Sequence, residues 1–237
     1  MKTLLHPASE RGQANHGWLK THHSFSFADY YDAAKVHFGK LRVLNDDWIA
    51  ARQGFGLHPH QNMEIITIPL AGKLRHGDNM GNESVIIPGE VQVMSAGTGV
   101  WHSEYNASET DPLELLQIWI FPDKNGYQPR YDDYKFDETA QHDRWQLLVS
   151  PDARDESLWI NQQAFLSLRK VVDEKSFSYP LNHPDHGVYF FVIAGNLTVA
   201  GQQLATRDAV GVWEIPGAVP VDAEKESLLL AIEVPMK

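Results

Sequence analysis

The 237-residue chain contains no cysteine. Disulfides, thiolate metal sites and a cysteine nucleophile are therefore excluded, and the chain suits a reducing compartment. No apolar run approaches the roughly 20 residues that a membrane-spanning helix requires. The apolar stretch behind Met1-Lys2 stops too soon for a secretory leader, so a cytoplasmic protein is expected. Three Asn-x-Ser/Thr triplets, at Asn82, Asn106 and Asn196, then carry no meaning, because they matter only on a secreted chain. A cluster of Lys and Arg is missing too. The formal net charge is −11; residues 1–120 hold 9 basic against 13 acidic side chains, and residues 121–237 hold 11 against 18. Without a basic patch there is no footprint for phosphates, so direct nucleic-acid binding is not expected, although a protein partner is possible. A long amphipathic helical pattern is also absent.

What is present favours strands. Hydrophobic residues make up 43% and charged residues 22%, ordinary values for a globular protein, with seven Trp, eight Tyr and ten Phe. Short apolar or alternating runs are separated by Gly, Pro, Asn and Asp. Examples are Ser24–Phe27, Leu41–Asp47, Glu64–Gly72, Val85–Met94 split by Pro88-Gly89, and Leu115–Ile120. A polar stretch rich in Tyr and Asp, Pro122 to Asp143, reads as a linker laid across a surface. A second β-rich block then runs from Trp145 to Val234. Its pieces resemble the first block: Glu64–Gly72 matches Val188–Gly195, and Val85–Met94 matches Gln203–Trp213. Two copies of one β unit follow, divided as residues 1–135 and 136–237.

The copies differ in chemistry. In the first, His58 and His60 are separated by one residue, as are His102 and Glu104, and residues two apart on a strand share a face. Two such strands can aim three imidazoles and a carboxylate at one point. His/carboxylate donors suit Fe, Mn, Co, Ni, Cu or Zn, and open positions on such a site suit non-haem Fe(II) and dioxygen. Glu64, four residues past His60, has the same parity and is a rival fourth donor. Its other role would be a hydrogen bond to a ligand imidazole. Taken singly, His6, His37, His76 and His142 are ordinary surface or hydrogen-bonded histidines. In the second copy, His183 and His186 are three apart and do not share a strand face. Trp18, Phe25, Phe27, Met63, Met94 and Trp101 could line an apolar cavity near the donors, but plain core is the commoner role for such residues.

These motifs resemble those of the cupins, and specifically of the pirin-like family. His58-Pro59-His60-Gln61-Asn62-Met63-Glu64 resembles the first cupin motif, and Gly99-Val100-Trp101-His102-Ser103-Glu104-Tyr105-Asn106 the second. Arg52 stands where Gly is usual in cupins, and Gly97 where Pro is usual; both departures are pirin-like. Gly17-Trp18-Leu19, Ser24–Phe27, Leu41–Asp47, Met94–Gly99 and Ser150–Arg154 extend the resemblance. It implies an all-β bicupin of two jelly-roll barrels facing each other, with few short helices and metal only in the N-terminal barrel. It also implies His58, His60, His102 and Glu104 as ligands of one divalent metal, Fe(II) foremost with Zn, Mn, Co, Ni or Cu as alternatives, in a monomer. The implied activity is quercetin 2,3-dioxygenase: ring cleavage of a flavonol by O₂, with Glu104 accepting the substrate's proton. The alternatives are a metal-dependent regulator that binds a protein partner, and a cupin acting on another small molecule.

Overall fold

Alternation and turn chemistry are realised almost everywhere as strands. The computed structural model describes residues 1–237. In the first half, β1 (Lys2–His6), β2 (Gly12–Asn15), β3 (Leu19–His23), β4 (Leu41–Ile49), β5 (Gly54–His60) and β6 (Glu64–Ala71) are followed by β7 (Leu74–Asp78), β8 (Glu83–Ile86), β9 (Glu90–Ser95), β10 (Val100–Asn106), β11 (Leu113–Ile120) and β12 (Arg130–Lys135). The second half contributes β13 (Gln146–Ser150), β14 (Leu158–Trp159), β15 (Phe165–Lys170), β16 (Ser176–Pro180) and β17 (His186–Ala194), then β18 (Leu197–Val199), β19 (Gln202–Leu204), β20 (Ala209–Trp213), β21 (Ala218–Ala223) and β22 (Leu228–Pro235). Helix is confined to three short 3₁₀ turns, and no helix is long and apolar enough to cross a membrane.

Each half pairs a seven-stranded with a four-stranded sheet. The orders are β12-β9-β6-β11-β4-β3-β2 with β5-β10-β7-β8, and β1-β20-β17-β22-β15-β13-β14 with β16-β21-β18-β19. Position by position, β6 corresponds to β17 and β8–β9 to β19–β20, which are the two matches expected from sequence. The N-terminal strand is the exception to chain order. β1 pairs with β20, in the sheet of the second half, where β12 takes the equivalent edge of the first. His6 anchors β1 there, its buried Nδ1 lying 2.9 Å from the Tyr189 hydroxyl.

The period of two decides what each sheet face touches. Ile66, Ile68, Val91, Val93, Leu116 and Ile118 point away from their own barrel and pack against the second half's Tyr189, Phe191, Ile193, Leu230 and Ile232. The two large sheets are thus joined back to back through the largest apolar cluster. The second barrel is filled from within by Tyr179, Val188, Phe190, Val192, Val210 and Leu229. The first is not: its interior apolar groups are smaller, leaving room for a polar layer.

Two local expectations are corrected. Ser24–Phe27 is not a strand; the chain turns after His23, and only an isolated Phe27–Tyr30 bridge remains, with Phe25 buried in the core between the halves. Pro122 to Asp143 is more than a linker, because β12 within it extends the first sheet along β9. Its polar, mostly exposed sequence, Arg130 to Lys135, is that of an edge strand.

Candidate metal centre

Strands β5 and β10 pair so that His102 lies opposite His58, and Val100 opposite His60. Between these partners and Glu104, which lies opposite Phe55, the register shifts. Four residues of β5 (Phe55 to His58) span three of β10 (His102 to Glu104). The extra residue is a bulge, and it lets both Phe55 and His58 face inward although they differ in parity. On the other side of β10 the pairing is regular, with Glu104 opposite His76 and His102 opposite Asp78.

The three histidines converge. Ring centroids are 4.4 Å apart for His58 and His102, 4.8 Å for His58 and His60, and 5.0 Å for His60 and His102. One nitrogen from each lies within 4.8 Å of the others. His58 Nδ1 lies 2.8 Å from the Gly56 carbonyl oxygen, which fixes that ring and turns Nε2 toward its neighbours. His102 is 1% exposed, yet neither ring nitrogen has a hydrogen-bond partner. Two buried, unsatisfied nitrogens are costly unless something else meets them. Burial, with the nearby His58, His60 and His76, holds the His102 imidazolium down to about 2, and burial with His58 lowers His60 to about 4. Both rings are therefore neutral at ordinary pH, the form that offers a lone pair to a metal. These donors fit one divalent transition-metal ion.

Glu104 is buried behind them. Its Oε1 accepts from Gln92 Nε2 at 2.7 Å and Thr67 Oγ1 at 3.3 Å, and its Oε2 accepts from Gln117 Nε2 at 2.8 Å. Burial raises this carboxyl's pKa, opposed by nearby His76 and His58 and by those hydrogen bonds. A carboxylate has about four acceptor sites; the two amides fill two, and the single Thr67 hydroxyl proton is shared between Oε1 and the closer Gln117 Oε1 at 3.0 Å, so at least one site remains. The donors of this cradle belong to one row of interior-facing residues, in which Thr67 pairs with Gln117 on one side and Gln92 on the other, with Asn45 beyond Gln117. Tyr131, on β12, donates to Gln92 Oε1 at 3.3 Å. The rim is aromatic, with Trp119 edge-on to His60 at 4.9 Å and Phe27 packed on Trp119.

Glu64 is elsewhere. The chain turns at Gln61–Met63, with Asn62 at φ +50°, and this breaks the parity that made Glu64 a rival. Along β6, Glu64 shares the outward face of Ile66 and Ile68. There it accepts from Ser95 Oγ at 2.6 Å and from Asn161 Nδ2, in the second half, at 3.1 Å. It ties the halves together and stands outside both donor clusters. Of the apolar residues expected to be core or cavity lining, Phe25 and Met94 are core, whereas Trp101 is exposed.

Sequence reasoning missed the cradle and His76. Thr67, Gln92 and Gln117 are each a lone polar residue between two aliphatics within a strand, as in Ile66-Thr67-Ile68. Such a residue signals a polar interior on the face opposite the aliphatics. His76, expected to be ordinary, is buried beside Glu104 and stacked on Tyr131 at 4.3 Å. In the second barrel, the inward-facing pairs on the strands equivalent to β5 and β10 are Tyr179–Val219 and Phe177–Val221, which are apolar or aromatic and part of the interior packing, and Glu233 is engaged by Tyr179, Asn182, His183 and His186. That barrel has no comparable set of open donors.

Comparison with known proteins agrees with this geometry. The Pirin family model matches residues 5–120, and the model of the quercetinase C-terminal cupin domain matches residues 147–234. The Escherichia coli K12 protein named quercetin 2,3-dioxygenase is 44% identical over 231 residues, 98% of each chain. The chain belongs to the pirin family. A pirin-like protein of Caulobacter vibrioides is 36% identical, covering 96% of this chain and 97% of its own. Among solved pirins, the crystal structure of YhhW from Escherichia coli in complex with nickel(II) superposes with a TM-score of 0.92, at 43% identity over 99% of both chains. The expected bicupin architecture is that of the family.

Proposed function

We propose that this pirin is a metal-dependent dioxygenase that opens the heterocyclic ring of quercetin or a related flavonol with O₂, releasing carbon monoxide. The observation that carries the reading is the group of converging His58, His60 and His102 nitrogens, with the buried nitrogens of His102 otherwise unmet. The Escherichia coli relatives, one named for this activity and one solved with nickel, support it. His58, His60, His102 and Glu104 would hold one divalent ion; Fe(II) suits an open His/carboxylate site, and Ni(II) is the ion in the relative's structure. When bound, the ion supplies Lewis acidity that favours ionisation of a flavonol hydroxyl.

The remaining work falls to the chain. Glu104, held by Gln92, Thr67 and Gln117, keeps an open acceptor site that would take the hydroxyl proton when the carboxylate is partly or fully free of the ion. The three donors fix the orientation of its carboxylate, so little reorganisation accompanies the transfer. Trp119 and Phe27 offer aromatic surface beside His60 for a planar substrate and exclude water there. The test is O₂ uptake with quercetin by protein reconstituted with Fe(II) or Ni(II). Wild type should exceed His58→Ala by about a hundredfold or more, the scale at which loss of an essential group is felt. Equal rates would remove the dioxygenase reading.

One observation favours a second reading. On the strands that carry the histidines, Leu57 and Trp101 face solvent with 64% and 47% exposure. A metal-dependent regulator that docks a protein partner would use such a surface. A pull-down that recovers a partner from wild type only with metal present, and not from Leu57→Ser/Trp101→Ser, would support it.

A further inference from the structure

His76 has the preparation of a metal ligand without belonging to either His/carboxylate motif. Strand β7 sets it directly opposite Glu104, and the side chains of His76 and its neighbour Asp78 are both fully buried. His76 Nε2 lies 3.3 Å from Asp78 Oδ2. Asp78 is itself organised as an anion: Oδ1 accepts from the backbone N–H groups of Met80 at 2.8 Å and Asn82 at 3.0 Å, and Oδ2 accepts from Asn82 Nδ2 at 2.8 Å. An ionised carboxylate only accepts, so the proton lies on His76 Nε2, and Nδ1 carries a bare lone pair. That Nδ1 is buried with no partner. Tyr131 covers the ring's face, at an interplanar angle of 20°, and so cannot satisfy an in-plane lone pair.

A carboxylate that takes one ring N–H and leaves the other nitrogen open is the arrangement by which proteins orient a metal-binding histidine. Donor atoms of His76, His102 and Glu104 lie within 4.8 Å of one another, a second cluster that shares His102 with the first. We propose that His76, His102 and Glu104 form an inner coordination position, so that a divalent transition-metal ion can be held in either of two overlapping sites in this barrel. The positions are alternatives, because both draw on His102 and two dications so close together repel strongly. The inner position would retain a metal when an outer imidazole is lost or released. It extends the reading of this pocket as a metal centre and rests on it.

Nickel(II) titration of apo-protein by calorimetry, at one pH, tests the inner site. The half-exposed His60 gives the starting variant. His60→Ala should still bind one equivalent, more weakly than wild type. Adding His76→Ala should then weaken binding at least a further tenfold, whereas His76→Ala in the wild-type background should change it less than threefold. A merely structural His76 would cost the same in both backgrounds, and equal costs would overturn the inner site. Asp78→Asn leaves the ring in place and keeps the test available if His76→Ala does not fold. Placed on His60→Ala, it should weaken binding about tenfold, and no change would count against the proposal. X-ray absorption of nickel in His58→Ala/His60→Ala should report two imidazoles, falling to one when His76→Ala is added. Failure of wild type to bind nickel would remove the metal-centre reading itself, while binding that is indifferent to His76 and Asp78 in the His60→Ala background would remove only the inner site.

Discussion

Replacing Gln92 by Leu probes the cradle behind the metal centre with little change of volume. Gln92 Nε2 makes the shortest bond to Glu104, 2.7 Å to Oε1, and lies 3.1 Å from Thr67 Oγ1. Its Oε1 accepts from the Tyr131 hydroxyl. A hydrogen bond to a charged group contributes about 1.5–3 kcal/mol, and a neutral one about 1 kcal/mol. Thr67, at 3.3 Å, is left as the only donor to Glu104 Oε1, and Tyr131 loses its acceptor. Part of the loss is offset by the apolar surface of Leu, giving a net destabilisation of about 2–3 kcal/mol. For a chain of this size that lowers the melting temperature by roughly 5–10 °C. Because Glu104 is no longer fixed from one side, nickel affinity should fall about 10–100-fold, the usual consequence of removing such a supporting contact. Thermal denaturation of apo-protein by circular dichroism and calorimetric nickel titration read the two effects separately. Gln117→Leu, which removes the bond to Oε2, should act similarly, and the double variant non-additively because both bonds end on one carboxylate. If Gln92→Leu melts within a degree of wild type and binds nickel equally well, Glu104 is not held in the way the geometry requires.

Two further outcomes follow from residues outside the cradle. Glu64→Gln should leave nickel affinity unchanged, whereas Glu104→Gln should lower it at least tenfold; Asn161→Ala, which strips a donor from buried Glu64, should cost about 1.5–3 kcal/mol in urea denaturation without altering metal binding. Burial, with Lys35 nearby, lowers the pKa of His6 to about 4. The unfolded chain therefore binds the extra proton between pH 4 and 6.5, and stability rises with pH across that window, being lost as pH falls toward 4. Relative to His6→Gln, wild-type stability should climb more steeply there, by at most about 1.4 kcal/mol per pH unit. Identical slopes in urea melts at pH 4.5, 5.5 and 6.5 would remove His6 as the cause.

The β class, the doubled architecture and the convergence of His58, His60 and His102 were legible in the chain itself. Strand alternation, turn residues and i, i+2 spacing are local, and a motif resemblance needs only local order. Even the polar layer left a trace, in single Gln and Thr residues set among aliphatics. Partnership was decided only by the tertiary structure. Whether Glu64 or Glu104 faces the histidines depended on a parity break at Asn62, a local turn that moves a side chain across a sheet. Whether His76 is ordinary depended on β7 pairing with β10 rather than on any neighbour in sequence. That β1 closes the far barrel depended on an edge more than two hundred residues away. Such features arise from long-range pairing, and periodicity within one segment carries no information about the partner that pairing selects.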